Sequence, residues 1–314
     1  MFKLYKSLFR LAVVGIAALT GDMSSMGMAQ TVRLPLDYIA KEPYQWGGAP
    51  VSLYGTQRSF NFNGNQPFVN PSTGKSDIAT MQYNGTLVVG DNITNTGTPT
   101  SHINKFLDTT INENVLRVQL FPQDNLTANS HRTQINSYPI LPYKTYAYDL
   151  EFKLDPSWNF NMPSGKGLIW QLKGVPKAGQ YGNPTLALNI VGNQLSLNLC
   201  YPTSAVNATS WPTSVRWGVN EYVKVNIPTR SLVAGKYHRV RVIFYADERP
   251  DKFGGQGFLT AWFDEQPWFD YSGPTLQPDL AGPHIMGFGW YQYDAAPTAT
   301  RKLFFRTNRL YELN

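Results

Sequence analysis

Short stretches in which apolar and polar side chains alternate recur along most of the chain, and Gly, Pro and Asn separate them. The clearest is 144–154, where the even-numbered positions from Tyr148 to Leu154 are apolar and the odd-numbered positions from Asp149 to Lys153 are charged. A period of two is typical of a β-strand with one buried face. Roughly a dozen such stretches, without a long helix or a repeat, predict an all-β chain folded as a jelly-roll β-sandwich with a concave groove.

Turn residues divide the predicted strands. Asn84-Gly85 and Gly192-Asn193 are typical of hairpin turns, and Glu265-Gln266 is a third predicted turn. Residues 102–107 are ambiguous, with a helical turn as one alternative. The predicted strands are 50–54, 59–62, 81–89 (with a turn inside), 115–121, 130–135, 144–154, 167–174, 185–191, 194–199, 222–227, 237–246, two within 257–271, 285–293 and 302–310.

The beginning of the chain has the pattern of a removable leader. Basic residues precede a short apolar run at 11–19, which is too short to span a bilayer, and small residues stand just before Gln30. We therefore expect a signal peptide at 1–29, cleaved before Gln30, and one β-domain at 30–314. The leader is of bacterial type, so we expect a periplasmic or secreted protein. No later apolar run predicts membrane insertion.

One predicted strand, 167–174, carries polar side chains among apolar ones. Its two predicted faces are Leu168, Trp170 and Leu172 on one side and Ile169, Gln171 and Lys173 on the other. The first face is suited to packing, whereas the second presents an amide and an ammonium side by side. Taken alone, this strand is compatible with a solvated sheet face and with a surface that binds a polar ligand.

Charge and composition narrow the classes of ligand. The formal net charge is +6, and the leader contributes +2 of it, which leaves about +4 on the exported chain. No block of Lys and Arg is present, so nucleic-acid binding is not expected. A mild basic excess suits an anionic polymer such as an acidic polysaccharide. The aromatic content of 14% suits stacking on sugar rings, but β-rich cores also use aromatic residues.

The number and spacing of cysteine and histidine residues limit the disulfides and metal sites that the chain could form. The single cysteine, Cys200, excludes an internal disulfide and is predicted to be a buried or half-buried strand residue. The four histidines, His102, His131, His238 and His284, lack the spacing of a metal site. We therefore expect no metal centre and no cofactor, while a structural calcium ion stays open. We also expect a monomer.

Six motifs follow one another between residues 110 and 310. They are RTQI at 132–135, YDLEFKLDP at 148–156, IWQLK at 169–173, YHRVRV at 237–242, GFLTAWFD at 257–264 and FGWY at 288–291. Their order resembles that of the jelly-roll polysaccharide lyases, which include alginate, glucuronan and heparin-type lyases. The resemblance implies a concanavalin-like β-sandwich.

The resemblance also implies a reaction. Lyases of this kind cut a uronate chain by β-elimination, in which the C5 proton is removed and the 4-linked oxygen leaves. Amide and cationic donors must neutralise the carboxylate, and a Tyr or His must handle the proton. By position, Arg132 and Gln171 match the residues that hold the carboxylate, and Tyr291 matches the residue that moves the proton.

Lys173 departs from the family, which has histidine at that position. A lysine can neutralise a carboxylate, but it serves as a base at neutral pH only if burial or a cationic neighbour lowers its pKa. A working enzyme would therefore use Tyr291 as acid and base, or would use His131 or His238 instead. We expect His238 to be a structural or surface residue, and strand parity turns His131 away from Arg132.

Further residues are candidates for substrate contact. Gln134 stands where the related alginate-lyase motif has Glu, and Gly287 stands where it has Lys. Strand parity places Gln134 with Arg132, Lys173 with Gln171 and Tyr293 with Tyr291, so all are predicted to face one groove; the opposite parity places Trp290 in the core. The predicted substrate-binding residues are Gln134, Tyr293, Trp211 and Trp217.

A glycosidase is the main hydrolytic alternative. Asp149, Glu151 and Asp155 could supply paired carboxylates, but their spacing does not match the signature of β-glucanases with this shape. We interpret them as a solvated strand face.

Two hypotheses about function therefore remain. The first is a polysaccharide lyase that cleaves an acidic, uronate-containing polysaccharide, with Arg132, Gln171, Lys173 and Tyr291 as catalytic residues. The second is a non-catalytic carbohydrate-binding protein on the same scaffold that takes part in exopolysaccharide handling.

Overall fold

A computed structural model describes residues 57–61, 78–89, 101–127, 130–161, 166–178, 183–211, 222–292 and 296–313. Within these ranges the chain forms seventeen strands, one short α-helix and one 3-10 helix. The strands are β1 (Gln57–Asn61), β2 (Ile78–Tyr83), β3 (Thr86–Val89), β4 (Ile103–Asp108), β5 (Glu113–Leu120), β6 (His131–Ile140), β7 (Thr145–Leu154), β8 (Lys166–Val175), β9 (Leu186–Val191), β10 (Gln194–Pro202), β11 (Tyr222–Val225), β12 (Arg230–Ser231), β13 (Tyr237–Tyr245), β14 (Phe258–Phe263), β15 (Gln266–Ser272), β16 (Gly282–Gln292) and β17 (Arg301–Leu313). The α-helix, α1, is Thr203–Val206, and the 3-10 helix is Asp251–Phe253.

The strands build two sheets. Sheet I has the order β15-β14-β13-β7-β17-β5-β4, and β1 also pairs with β17. Sheet II has the order β11-β10-β9-β8-β16-β6-β2-β3, and β12 also pairs with β10. Neighbours run antiparallel, for example β16 between β6 and β8. The predicted jelly-roll β-sandwich is confirmed.

Aromatic side chains join the two sheets across the core. Tyr148 of β7 stacks on Trp170 of β8 with ring centroids 4.9 Å apart, and Phe288 of β16 meets the edge of Phe305 of β17 at 5.4 Å. Each buried aromatic contributes on the order of 1.5–3 kcal/mol from burial, and such ring pairs add to that. Trp290 is fully buried in this core, as its parity predicted.

Several local predictions agree with the structure. Asn84 and Gly85 form the hairpin turn between β2 and β3 with positive φ angles of 42° and 73°. Gly192 lies in the hairpin turn between β9 and β10 with a φ of 55°. Cys200 is buried in β10.

The structure also resolves one ambiguity and corrects one turn. The ambiguous segment 102–107 is not a helical turn, because Ile103–Asp108 pairs with β5 as the edge strand β4. The hairpin between β14 and β15 turns at Asp264 and Glu265, which both have positive φ, one residue earlier than predicted.

The predicted faces of β8 need a correction at its beginning. The register of β8 against β9 shifts between Leu168 and Trp170, so Ile169 is the extra residue of a β-bulge. Ile169, and not Leu168, consequently joins Trp170 and Leu172 in the core cluster. Beyond the bulge the period of two holds, and Gln171 and Lys173 share the face turned away from the core.

The charged face of β7 is not the solvated surface that its pattern predicted. Asp149 is fully buried and accepts two hydrogen bonds from Arg239 of β13, at 2.8 and 2.7 Å. Lys153 is also buried and forms an ion pair with Asp108 of β4. Charged partners on neighbouring strands therefore cover this face of sheet I, although Glu151 is only partly buried.

The pKa of Asp108 shows that its partners stabilise the charged form of the carboxyl. Burial alone would raise the pKa of its carboxyl, but hydrogen bonds from Lys153, Thr110 and Tyr237 together lower the pKa well below the ordinary value. Burial raises the pKa of the Tyr237 hydroxyl, and its hydrogen bond to Asp108 raises that pKa further.

In the part of the chain that the structure describes, no helix is both long and apolar enough to cross a bilayer. The expected signal peptide, its cleavage site, Trp217 and Tyr293 lie outside the described residues.

We predict that Asp149→Asn lowers the free energy of unfolding by about 3 kcal/mol, because it removes the buried carboxylate that pairs with Arg239 and leaves that guanidinium only its longer contact with the exposed Glu265. Thermal unfolding should shift down by roughly 5–10 °C. Asp270→Asn, at an exposed site on β15, is the matched control and should change stability by less than about 0.5 kcal/mol. Equal effects of the two substitutions would contradict a structural role for the Asp149–Arg239 pair.

Candidate active site

A pocket of about 200 Å³ opens on the face of sheet II that points away from the core. Four adjacent strands line it, and most of its polar side chains lie two positions apart on their strands because side chains on one face recur every second position. The lining residues are Gln82 of β2; Arg132, Gln134 and Asn136 of β6; Gln171, Lys173, Gly174 and Val175 of β8, with Pro176 after it; and Ile285, Gly287 and Tyr291 of β16. All four predicted catalytic residues and Gln134 therefore meet in one pocket.

Strand register fixes the layout of the pocket. Tyr291 of the central strand β16 lies opposite Arg132, and Gly287 lies between Asn136 on one side and Gln171 on the other. Lys173 lies opposite Ile285, further along the strands. Arg132 and Lys173 thus occupy opposite corners, and amides lie between them.

Arg132 is held in place by several contacts. Its guanidinium carbon lies 4.2 Å from the centroid of the Tyr291 ring, which is a cation–π contact. Its Nε donates to Ser130 Oγ at 2.7 Å, and a terminal nitrogen donates to Gln82 Oε1 at 3.2 Å. Ser130 is itself buried. These contacts orient the guanidinium before any ligand arrives, so less entropy is lost on binding.

Lys173 lies in a setting that disfavours its charge. Burial lowers the pKa of its ammonium below the ordinary lysine value, and the nearby charge of Arg132 lowers it further. No Asp or Glu is among the described residues that line the pocket. Two cations therefore share a partly enclosed space that offers them no carboxylate from its own walls, and an anionic ligand would relieve their repulsion.

Uncharged amides occupy the middle of the pocket. Gln134, Asn136 and Gln171 are 3%, 6% and 8% exposed. Gly287 makes room for two of them, because a Cβ there would clash with the amide nitrogen of Gln134 and the amide oxygen of Asn136. Any side chain at this position would require the two amides to move.

The remaining candidates lie elsewhere. Trp211 packs on Phe253, with ring centroids 5.9 Å apart, and does not line the pocket. His238 is in sheet I, where Nδ1 bonds to Asp264 at 2.9 Å and Nε2 accepts from the backbone N–H of Val233 at 3.0 Å. His238 is therefore a buried residue and not a surface residue, with a hydrogen-bond partner on each ring nitrogen. His131 lies on β6 beside Arg132 but not in the pocket lining.

Among the described residues, no group of three or more His, Cys, Asp or Glu side chains could hold a metal ion.

Three residues around the pocket were missed at the level of sequence. Asn136 continues the series of Arg132 and Gln134 at a spacing of two, so parity alone could have included it. Gln82 could not be found this way, because its place depends on the pairing of β2 with β6 across about fifty residues of chain. Ser130 precedes β6 and touches the site only through Arg132.

We predict that Lys173→Met stabilises the folded protein at neutral pH by about 1 kcal/mol, or roughly 2–4 °C in thermal unfolding, because it removes a partly buried charge that the charge of Arg132 in the same pocket disfavours further. The pKa of Lys173 is lower in the folded state, so the unfolded chain binds more protons between that pKa and 10.5. Wild-type stability should therefore rise with pH across this window, and the advantage of the variant should shrink.

Lys224→Met, at an exposed lysine of β11 in the same sheet, is the matched control and should change stability little at any pH. A destabilised Lys173→Met protein would show that the ammonium is held by favourable contacts instead.

A family model matches the sequence of this chain, and solved structures share its fold. A family model described as polysaccharide lyase matches residues 72–307, which is most of the chain. An alginate lyase of polysaccharide lyase family 7 has a similar structure, with a TM-score of 0.51 at 13% identity over 75% of this chain and 94% of that chain.

Two further solved structures are similar. An endo-β-1,4-glucuronan lyase from the fungus Trichoderma reesei has a TM-score of 0.48 at 15% identity, over 82% of this chain and 95% of that chain. An alginate lyase from Pseudomonas aeruginosa has a TM-score of 0.47 at 9% identity, over 74% of this chain and 97% of that chain. No curated protein sequence matches the chain. Because the family model spans most of the β-sandwich and its pocket, the chain belongs to the polysaccharide lyase family of enzymes.

Proposed function

We propose that this protein cleaves a uronate-containing polysaccharide by β-elimination in the pocket of sheet II. The observation that carries the proposal is the meeting of Arg132, Lys173, Gln171 and Tyr291 in a pocket whose described lining residues include no Asp or Glu. A uronate carboxylate supplies the missing negative charge. The similar solved structures include lyases of alginate and glucuronan, which are both uronate polymers.

In the proposed reaction, Arg132 and Lys173 neutralise the uronate carboxylate and Gln171 donates a hydrogen bond to it. Neutralisation matters because removal of the C5 proton drives negative charge onto the carboxylate, and fixed donors stabilise that charge in the transition state. Arg132 is suited to the task because Ser130 and Gln82 already orient it.

Tyr291 moves the proton. Its hydroxyl gives its own proton to the departing O4 as it receives the proton from C5, so the C5–H and C4–O4 bonds break and a double bond forms between C4 and C5. The Tyr291 hydroxyl is therefore protonated again at the end of the reaction. A hydroxyl can fill both roles because it donates and accepts.

Lys173 acts in this scheme as a charged donor rather than as the base. The histidine of related motifs would be mostly neutral near pH 7, whereas a lysine carries its charge until its pKa is reached. The lowered pKa of Lys173 also limits the pH range in which it can act. We propose, from the leader pattern, that the enzyme works in the periplasm or outside the cell.

The test of function follows ultraviolet absorbance, since elimination leaves an unsaturated uronate. We predict that the protein produces this signal with at least one of alginate, glucuronan, hyaluronan and gellan. Tyr291→Phe should lower kcat on the order of 100- to 10,000-fold while the protein still binds the polymer in an affinity gel. Tyr222→Phe, on the edge strand β11, is the matched control and should retain full activity.

The alternative of a carbohydrate-binding protein has a distinct outcome in the same experiment. If no polymer gives an unsaturated product but one of them retards the protein in the gel, the lyase proposal fails. Full activity in the Tyr291→Phe protein would remove that residue from the mechanism and leave the lyase proposal standing.

We also predict that kcat/KM falls as pH rises through the pKa of Lys173, which lies below 10.5 because of burial and Arg132. The charged ammonium is the active form, so activity is present below this pKa and lost above it. Lys173→Arg should keep part of the activity and move the decline to higher pH, since arginine stays charged. An activity that rises with pH over this range, and an inactive Lys173→Arg protein, would instead make Lys173 the base.

A further inference from the structure

Gln82 lies on β2, the outermost of the four strands that line the pocket, and is bound to Arg132. Its amide oxygen accepts a hydrogen bond from a terminal nitrogen of the Arg132 guanidinium at 3.2 Å. The side chain is half-buried, and the pairing of β2 with β6 places Gln82 opposite Gln134. Gln82 therefore extends the polar lining of the pocket by one strand beyond Arg132.

The chemistry of arginine fixes which way the Gln82 amide faces. A guanidinium has donors and no acceptor, so the atom that meets Arg132 is the oxygen, and the amide nitrogen is turned elsewhere. Among the described residues, none accepts a hydrogen bond from that nitrogen. The nitrogen is also not one of the buried polar atoms without a partner, so it borders accessible space. Gln82 consequently has N–H donors available to a ligand.

The distance across the sheet separates Gln82 from Gln171. The strand order β8-β16-β6-β2 puts three strand spacings between them, roughly 14 Å, and side chains stand roughly perpendicular to a sheet. A carboxylate that accepts one hydrogen bond on each oxygen joins two donors that are only about 8 Å apart. If Gln171 binds the carboxylate of the sugar unit that reacts, Gln82 therefore lies beside a neighbouring unit of the polysaccharide.

We propose that Gln82 is a further substrate-binding residue, whose amide nitrogen donates a hydrogen bond to an oxygen of the sugar unit next to the one that reacts while its amide oxygen holds Arg132. The proposal rests on the proposed lyase function for its substrate class. It implies that the bound polysaccharide crosses the strands of sheet II from β8 toward β2. An uncharged amide suits both contacts, because a carboxylate here would neutralise Arg132 and repel an anionic chain.

Steady-state kinetics on the polymer that yields an unsaturated product distinguish substrate binding from the orientation of Arg132 alone. Gln82→Met keeps the length of the side chain and removes both hydrogen bonds. We expect it to raise KM on the order of 10-fold and to change kcat less than about threefold, because Ser130 and the Tyr291 ring still hold Arg132. A fall in kcat at unchanged KM would show that Gln82 only orients Arg132, and would overturn the substrate contact.

A second variant, Gln82→Glu, keeps an oxygen for Arg132 and removes the donor. A residue that only orients the guanidinium would tolerate this change, whereas the added charge repels a bound polyanion, so we expect KM to rise more than in Gln82→Met. Wild-type kinetics in the Gln82→Glu protein would contradict the proposal. Gln266→Met and Gln266→Glu, at an exposed glutamine of β15, are the matched controls and should keep the wild-type KM and kcat. All four variants should unfold within about 4 °C of the wild type.

Affinity electrophoresis in gels that contain alginate, glucuronan, hyaluronan or gellan gives a readout that does not depend on catalysis. The polymer that retards the wild type most should retard Gln82→Met less. If no polymer yields an unsaturated product, the lyase proposal fails, and this difference in retardation decides the role of Gln82. Equal retardation of the two proteins, or no retardation of the wild type by any of the four polymers, overturns the substrate contact, whereas an unsaturated product leaves the lyase proposal standing.

Discussion

Repulsion between Arg132 and Lys173 is the constraint on which the pocket depends. Both side chains line one small space, and no Asp or Glu is among the described residues that line it. On the outer face of sheet I, by contrast, Asp149 pairs with Arg239 and Lys153 pairs with Asp108. Two cations in one partly enclosed pocket favour an anionic ligand.

Packing and hydrogen bonds hold the side chains of the pocket in place despite this repulsion. Stacking of Tyr148 on Trp170 anchors β8 in the core on one face while Gln171 and Lys173 stay on the other. Tyr291 and Ser130 hold Arg132 from two sides. A site whose groups are oriented before the substrate binds spends less binding energy on ordering them, and more remains to stabilise the transition state.

Strand parity made much of the site predictable from sequence. Arg132 with Gln134, Gln171 with Lys173, and the opposite sides of Trp290 and Tyr291 all follow from a period of two. The predictions that failed concern contacts between residues that are far apart in the sequence. The bulge at Ile169 depends on the register against β9, and the burial of Asp149 depends on a guanidinium ninety residues away. Gln82 reaches the pocket only because β2 pairs with β6. A local pattern contains none of these pairings.

The most direct test of the proposed chemistry is to let the enzyme cleave its polymer in oxygen-labelled water and to measure the masses of the fragments. Elimination adds no water across the bond that breaks. The fragment with the unsaturated end should therefore be lighter by one water than the corresponding hydrolysis product, and the fragment that keeps O4 should gain no labelled oxygen at cleavage. Fragments that gain a labelled oxygen at each cut, with no unsaturated end, would show hydrolysis and would contradict the role given to Arg132, Lys173 and Tyr291.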